Sequence, residues 1–340
     1  MYPLSCADGY KYPGTEAPYV LDIISVGGGL AATASDQSLC LFDPLRLGQG
    51  PLKAIQTDHG ALSSAKAYSA AESVVCTTGE NGTVSLWDLR LRPADARALQ
   101  ITGGGAGGGD RPSFLSLACS SQANALAVGT ELANHQASII IWDLRSPSAP
   151  TIQYNEVHSD DVTELNFHPS APHLLLSGST DGLVNVCDTR ITDEDEVVVQ
   201  TFNHGSVHRA GFLNDTEVYA VSHDEKFALY DMAEGVANGS ATVDFGDVRQ
   251  VVGCQYVAGV FPKLNGAGAV IGVGSQDQEM FQMIYLARQG AAWGLDRDSV
   301  VALPGAHRSE LVRSFYFIDE EQLVLTAGED SCIKAWRPGE

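Results

Sequence analysis

Residues 158–188 read HSDDVTELNFHPSAPHLLLSGSTDGLVNVCD, and the pattern in this stretch returns along the whole chain. A histidine comes first, and a strand-like run of apolar and small residues then reaches a tight turn at Asp181-Gly182. A second run follows at once and ends at Cys187-Asp188. Short apolar runs bounded by Gly, Asp and Asn are typical of β-strands joined by tight turns. The stretch therefore predicts part of a small antiparallel sheet.

Six further copies of this pattern, some degenerate, establish an internal repeat. Each run ends in an aromatic or equivalent residue, at positions 42, 87, 142, 187, 230, 285 and 336, separated by 45, 55, 45, 43, 55 and 51 residues. A histidine precedes four of these positions by 28, 29, 26 and 29 residues. The clearest other copies read TASD and LFD at 33–43, TTGENG and LWD at 77–88, IIIWD at 139–143, SHD and LYD at 222–231, and TAGED and KAW at 326–336.

A period of about 40–45 residues with His, Asp and Trp in fixed places is typical of WD40 repeats, which form β-propellers. We therefore expect an all-β, seven-bladed WD40 β-propeller that comprises residues 1–340 as a single domain. The seventh copy ends too early for its own outermost strand, so the N-terminal segment should supply that strand and close the ring. The sixth copy is the weakest. The expected blades are residues 17–55, 56–100, 101–150, 151–198, 199–240, 241–300, and 301–340 together with 1–16.

The recurring polar residues are expected to form a structural hydrogen-bond relay within each blade. A buried His, the turn Asp and the Trp can connect the loop before a blade to its inner strands. A catalytic or metal-binding role for these histidines is not expected. The relay residues are His59, His158, His204, His307, Asp36, Asp181, Asp224, Asp330, Trp87 and Trp336.

A partner-binding face is expected where the innermost strands begin and where the turn residues lie, around the central channel. We hypothesise that an acidic sector there receives Lys or Arg side chains of a partner, while Arg249 and Arg313 hold a carboxylate or backbone carbonyls. The alternative is internal pairing, with Arg313 neutralised by Glu329 of its own blade. The predicted face comprises Ser63, Glu80, Asp160, Asp161, Thr163, His208, Arg249, Arg313 and Glu329.

Composition limits the function classes. The formal charge is −22, from 42 acidic and 20 basic residues. Such a surface repels nucleic acid and anionic membrane and attracts basic partners, although acidity can also serve solubility alone. Seven scattered cysteines without a CxxC pair favour neither disulfides nor a zinc site. Without a secretory signal we expect a protein of the nucleus or cytoplasm, or both, as a monomer without cofactor or metal.

Two sequence motifs resemble known functional motifs, namely a glycine-rich run and a repeated WDxR box. The glycine run at 103–109 lacks the Lys-Ser/Thr of a phosphate loop, so a linker between blades is expected. Asp88 and Arg90, and Asp143 and Arg145, form two WDxR boxes, with a degenerate third at residues 187–190. The box is similar to that of WD40 substrate receptors of cullin-4 ubiquitin ligases. The alternative is that each arginine pairs with a neighbouring acid on the opposite rim.

Blades four to seven carry a closer resemblance. The chain resembles the family of WD repeat-containing protein 89 and its fungal relatives in HSDDVT with FHPS, SGS with DGLVNV, HDE, DVR, VRSF and GED with WRPG, all between 158 and 339. The resemblance implies a nuclear propeller with no known enzymatic activity.

The expected function is a non-enzymatic interaction scaffold. No nucleophile elbow, metalloprotease motif, kinase set or Cys/His cluster occurs in the sequence. A basic client such as a ribosomal protein or histone, bound for escort or assembly, is the first expectation. A cullin-4 ligase substrate receptor that docks on the adaptor through the WDxR boxes is the alternative.

Overall fold

A computed structural model describes residues 1–103, 111–233, 239–263, 266–290 and 292–339. Their strands form seven consecutive four-stranded units, of which five are separate sheets and two share one eight-stranded sheet. Within each unit, neighbouring strands pair in antiparallel order. The predicted all-β, seven-bladed propeller is confirmed. The expected linker at 103–109 lies, apart from Gly103, outside the described residues.

The described elements are strands, apart from one short helix and three turns of 3-10 helix. No described helix is long and apolar enough to cross a membrane. The helical segments are α1 (Val248–Val252) and the 3-10 turns Leu47–Gln49, Pro93–Asp95 and Asp319–Glu321. The strands are β1 (Tyr2–Lys11); β2 (Val20–Val26), β3 (Gly29–Ala34), β4 (Ser38–Phe42) and β5 (Lys53–Gln56) in blade one; β6 (Leu62–Ser69), β7 (Val74–Gly79), β8 (Thr83–Asp88) and β9 (Arg97–Thr102) in blade two; β10 (Phe114–Ser120), β11 (Ala125–Thr130), β12 (Ile139–Asp143) and β13 (Ile152–Tyr154) in blade three; β14 (Val162–Phe167), β15 (Leu174–Ser179), β16 (Leu183–Asp188) and β17 (Val198–Asn203) in blade four; β18 (Val207–Phe212), β19 (Glu217–Ser222), β20 (Lys226–Asp231) and β21 (Val243–Asp247) in blade five; β22 (Tyr256–Pro262), β23 (Gly268–Ser275), β24 (Met280–Gln289) and β25 (Ala292–Pro304) in blade six; and β26 (Val312–Ile318), β27 (Leu323–Gly328) and β28 (Cys332–Pro338) in blade seven.

The hydrophobic core is divided among the blade interfaces. Each cluster of buried side chains among the described residues draws on two neighbouring blades, including the pair formed by blades seven and one. The second and third strands of a blade are buried on both sides, as in β15 and β16. A four-stranded sheet with two apolar faces is stable only between two others, so the repeat requires a closed ring.

Small residues at the ends of the second strands allow adjacent blades to approach closely. A Cβ atom at Gly129 would lie 2.5 Å from Cγ1 of Val162 in the next blade, and one at Gly178 would lie 2.7 Å from Cγ1 of Val207. Both distances are too short for carbon atoms, so only glycine fits there. The glycines in the repeated phrase therefore set the spacing between blades.

The innermost strand of every blade has an irregularity near its first residues. The antiparallel register skips one residue at Leu21, Ser63, Leu115, Thr163, His208, Ala258 and Arg313. A β-bulge of this kind leaves one residue unpaired and changes the direction of its side chain. The bulges therefore present one residue from each blade to the central channel.

The N-terminal segment closes the ring as predicted. β1 pairs with β28 in antiparallel register from Leu4 opposite Pro338 to Lys11 opposite Cys332. It also makes a short parallel pairing with β25, with Tyr2 opposite Val301. β1 is thus the outermost strand of blade seven and joins the sheets of blades six and seven into one.

Blade six carries an extension that no other blade has among the described residues. The register between β24 and β25 jumps from Met283 opposite Val301 to Tyr285 opposite Asp296. The hairpin beyond this jump reaches blade five, where the buried Trp293 joins the core cluster that contains Tyr219. The extension explains why the sixth repeat is the weakest in sequence.

Candidate functional site

The relay predicted from the sequence is most complete in blades four and seven. Nδ1 of His158 lies 3.0 Å from Oδ2 of Asp181, and Nε2 lies 2.8 Å from Oγ of Ser177. In blade seven His307 contacts Asp330 and Thr326 in the same way, at 2.5 and 2.8 Å. Trp336 donates its indole N–H to Thr326 at 2.9 Å. These contacts tie the loop before each blade to its inner strands.

Blade two uses a variant of the relay, in which Asn81 occupies the turn position. Nε2 of His59 contacts Oγ1 of Thr77 at 2.8 Å, and Nδ1 contacts Oγ1 of Thr83 at the same distance. The indole N–H of Trp87 donates to Thr77 at 2.7 Å. The hydroxyl of Thr83 donates to Oδ1 of Asn81, so Thr83 lies between the histidine and the turn residue in this hydrogen-bond relay.

The relay role predicted for Asp224 is wrong. Nδ1 of His204 contacts the hydroxyl of Tyr230 at 2.9 Å, and Nε2 contacts the backbone carbonyl of Lys226 at 3.0 Å. Tyr230 stands where some other blades have tryptophan, and its hydroxyl forms the hydrogen bond with His204 that was predicted for Asp224. In blade one Asp36 accepts from the backbone N–H of Ser38, which is a turn contact rather than a relay.

Burial of the relay makes folding sensitive to acid. Burial lowers the pKa of His59 from 6.5 to about 4, and it lowers the pKa of His204 and of His307. The unfolded chain therefore takes up these protons below pH 6.5, while the folded protein resists protonation of His59 until about pH 4.

We expect the free energy of unfolding to fall between pH 6.5 and pH 4, with His59 contributing about 1 kcal/mol per pH unit. Urea unfolding measured across this range tests the slope. His59→Gln should make the slope smaller, while the exposed His135→Gln should leave it as in the original protein. A slope equal in the original protein and in His59→Gln would contradict this prediction.

Backbone contacts bring the turn residues to the end of the propeller where the innermost strands begin. The N–H of Glu80 donates to the carbonyl of Ala61, just before β6, and the N–H of Glu329 donates to Leu311, just before β26. The same pairing joins Thr180 to Asp161 in blade four. We call this end the channel mouth.

Four of the predicted face residues line the channel itself. Ser63, Thr163, His208 and Arg313 are bulge residues, and all four line a cavity of about 420 Å³ at the channel mouth. Burial lowers the pKa of His208 to about 4, and its ring stacks on that of His223 at 5.1 Å between centroids. The inward direction of these residues follows from the bulge, which turns each of them out of the strand alternation.

The strand position predicted for Arg249 is wrong. Arg249 lies in helix α1, before β22, and the bulge residue of blade six is Ala258. Asp247 caps this helix, and its carboxylate pairs with Arg249 at 2.9 Å. The repeat register predicts a strand start at Arg249, whereas Asp247 is the N-cap of a short helix.

Two acidic residues of the predicted face, Asp160 and Asp161, are outside the channel cavity. Asp161 accepts a hydrogen bond from the backbone N–H of Leu132 in blade three at 2.7 Å, and Asp160 accepts from the N–H of Asp161. Glu80 and Glu131 hold in blades two and three the turn position that Thr180 holds in blade four, and both are exposed. We call Glu80, Glu131, Asp160 and Asp161 the acidic arc.

The opposite side of the mouth carries positive charge. Arg209 and Arg313 enter the channel from blades five and seven. Arg313 donates from Nε and Nη2 to Oε1 of Glu329, at 2.8 and 2.5 Å, so the internal pairing considered as an alternative is present. Arg111 lies beside Gly82, close to the acidic arc.

Four charged residues inside the channel were not predicted as site residues from the sequence. Asp22, Lys66, Glu164 and Arg209 line both this cavity and a second one of about 380 Å³ that continues along the channel. Asp22, Glu164 and Arg209 each immediately follow the bulge residue of their strand. Lys66 lies three residues after the bulge residue Ser63. The available signal was a charged residue inside an otherwise apolar innermost strand. No group of three or more His, Cys, Asp or Glu in the described ranges could hold a metal ion.

Each WDxR box contains an internal ion pair. Arg90 pairs with Asp88 at 2.7 Å, and Arg145 pairs with Asp143 at 2.6 Å. The degenerate box behaves alike, since Arg190 pairs with Asp188 at 2.6 Å. Hydrogen bonds from these arginines lower the pKa of each aspartate. The pairing that was considered as an alternative to adaptor docking therefore accounts for the arginine of each box.

Comparisons with known proteins agree with this architecture. The family model "WD domain, G-beta repeat" matches residues 150–188 and 299–337. An uncharacterized WD repeat-containing protein of Saccharomyces cerevisiae is 32% identical over 226 residues, which cover 66% of this chain and 56% of that protein. Another from Schizosaccharomyces pombe is 29% identical over 273 residues, covering 77% and 79%.

A third relative is the WD repeat-containing protein 89 homolog of Dictyostelium discoideum, which is 24% identical over 226 residues, covering 66% of this chain and 57% of that protein. The chain thus spans little more than half the length of the Saccharomyces and Dictyostelium relatives. A chain in the crystal structure of the mitotic checkpoint complex matches with a TM-score of 0.71 at 16% identity, covering 100% of this chain and 94% of that one. That likeness shows the fold alone. Taken with the repeats and the closed ring of seven blades, these findings show a WD40-repeat β-propeller that is similar to the fungal WD repeat-containing proteins and to the WD repeat-containing protein 89 homolog.

Proposed function

We propose that this propeller is a non-enzymatic scaffold that binds a basic protein segment across the channel mouth. Proteins with WD40 propellers generally bind other proteins, and the structural neighbour is part of a protein complex. The client is a Lys/Arg-rich protein such as a ribosomal protein or a histone, held for escort or assembly in the nucleus or cytoplasm. The observation that carries this proposal is the acidic arc.

The acidic arc is distinguished by the absence of internal cation partners. None of Glu80, Glu131, Asp160 and Asp161 forms an ion pair among the described residues. By contrast, Arg249 and Arg313 are each paired with a carboxylate. Negative charge at the mouth therefore remains available to a partner, while much of the positive charge is already neutralised.

The net charge of the protein also favours a basic partner. With a formal charge of −22, the protein attracts basic segments from a distance and speeds their encounter at low ionic strength. Contacts at the acidic arc then give the orientation that net charge alone cannot. Such binding weakens as salt screens exposed charges, with a Debye length of about 8 Å at physiological ionic strength.

The test is affinity purification at two salt concentrations, with mass spectrometry of the recovered proteins. We expect one basic protein in near-stoichiometric amount at low salt, and at least about tenfold less of it with Glu80→Lys/Glu131→Lys, because reversed charges at two arc positions repel a cationic segment. Asp161 is left unchanged in this variant, since its carboxylate holds the Leu132 loop.

A matched control has the same change of charge at the opposite end of the propeller. Glu320 and Glu321 are exposed in the hairpin between β26 and β27, and Glu320→Lys/Glu321→Lys should recover the basic protein as the original does. Equal loss in both variants would show that net charge, not the arc, decides binding. Recovery of cullin-4 and its adaptor, insensitive to the arc variant and lost with Arg90→Glu/Arg145→Glu, would overturn the proposal in favour of a ligase receptor.

A further inference from the structure

A group of charged side chains inside the channel has more hydrogen-bond donors than acceptors. Nζ of Lys66 lies 3.4 Å from Oε1 of Glu164, and Nη1 of Arg209 lies 3.7 Å from Oε2 of the same carboxylate. Glu164 is buried and also accepts from the amide of Asn166 at 3.2 Å. A lysine has three N–H donors and an arginine has five, so one carboxylate cannot satisfy both.

Arg209 shows this imbalance most clearly. Its Nε atom is buried and contacts no acceptor among the described residues. At 3.7 Å, the contact of its Nη1 with Glu164 is longer than a hydrogen bond. A buried donor without an acceptor destabilises the folded protein, so an acceptor that reached the guanidinium of Arg209 would stabilise it.

Asp22, the other carboxylate that lines both cavities, accepts no hydrogen bond from these donors. Oδ1 of Asp22 accepts from the hydroxyl of Ser314 at 2.6 Å and from the backbone N–H of Ile23 at 2.8 Å. Burial raises the pKa of Asp22, which favours its neutral form. Lys66 and Arg209 are therefore the groups in this part of the channel that seek an acceptor.

The channel has room for such an acceptor. Cavities of about 420 and 380 Å³ share Lys66, Glu164 and Arg209 among their lining residues, so the two adjoin at these side chains. The first cavity includes the bulge residues at the channel mouth and gives access from that end. His208 beside Arg209 is kept uncharged by its lowered pKa of about 4 and adds no charge at neutral pH.

We propose that the central channel binds a carboxylate group of a peptide, held by the guanidinium of Arg209 and the ammonium of Lys66. A guanidinium can donate two parallel hydrogen bonds to a carboxylate, here from its two terminal nitrogens, and the ammonium supplies a third donor. The site is separate from the acidic arc, and the inference does not rest on the proposed function.

The test uses the full chain and two small probes. N-acetyl-glutamic acid α-amide carries a single side-chain carboxylate, and N-acetyl-glutamine α-amide is its uncharged isostere. At constant ionic strength we expect the first probe to raise the unfolding midpoint in a saturable manner and the second to leave it unchanged. Calorimetric titration should give binding that weakens at least about tenfold in Arg209→Gln.

The control is Arg297→Gln, which removes an exposed arginine of β25 and should bind the carboxylate probe like the original protein. Lys66→Met is the second site variant and should weaken binding as well, which keeps the test decisive if Arg209→Gln fails to fold. Equal binding of the two probes, or unchanged binding in the site variants, would overturn the proposal. So would inorganic phosphate binding as tightly as the carboxylate probe, since the site would then lack selectivity for a carboxylate.

Discussion

Deletion of residues 1–11 is expected to lower the unfolding midpoint by at least about 10 °C or to prevent folding altogether. The deleted segment contains β1, which pairs with β28 along its length and with β25 at its start. Tyr10 of this strand packs on Phe42 of blade one with ring centroids 5.2 Å apart. Loss of β1 exposes the edge of β28, and stacked sheets depend on both neighbours. Differential scanning calorimetry gives the midpoint.

Tyr2→Ala provides a control within the same strand. Tyr2 is 64% exposed, so its truncation should change the midpoint by less than about 2 °C. A synthetic peptide of residues 1–12, added in excess to the deletion variant, should restore part of the stability by strand addition. Cooperative unfolding of the deletion variant within about 3 °C of the original would show that the ring does not need this closure.

The second large effect is expected at Glu217, where Glu217→Ala should reduce the free energy of unfolding by about 3 kcal/mol. The carboxylate of Glu217 is buried and accepts from the indole N–H of Trp293 at 2.6 Å and from the amide of Asn214 at 2.5 Å. Nη2 of the half-exposed Arg288 lies 3.0 Å away. Removal of the carboxylate leaves a buried indole donor without an acceptor. Urea unfolding measures the change.

Glu217→Gln keeps one carbonyl oxygen at this position, so it should cost about 1 kcal/mol because the acceptor for Trp293 is retained. The exposed Glu320→Ala is the matched control and should lie within about 0.5 kcal/mol of the original protein. If Glu217→Ala costs less than about 1 kcal/mol, the extension of blade six contributes little to holding blades five and six together.

Within a blade, much of the relay could be predicted from residue spacing, because its members recur at the same positions of one repeat. His307, Asp330 and Trp336 meet as expected, since all three belong to blade seven. The prediction failed where one residue type changed. Tyr230 in place of tryptophan brings a hydroxyl that replaces Asp224 as the partner of His204.

The channel-mouth residues could be predicted in part. Ser63, Thr163, His208 and Arg313 were placed correctly at the strand starts, because the apolar strand after each of them fixes the register. Arg249 was misplaced because a helical turn between blades five and six interrupts the repeat. A local insertion of this kind has no periodic signal.

The sequence by itself determined the number of blades, their order and the closure of the ring by the N-terminal segment. These follow from a repeat whose two apolar faces must be covered by neighbours. Only the tertiary structure decided which charged residues meet across the channel and between blades. Lys66 and Glu164 are 98 positions apart in the chain, and Glu217 and Trp293 are 76 apart. The repeat fixes contacts within one sheet, whereas contacts across the channel depend on the radius and tilt of the assembled ring, which no single repeat encodes.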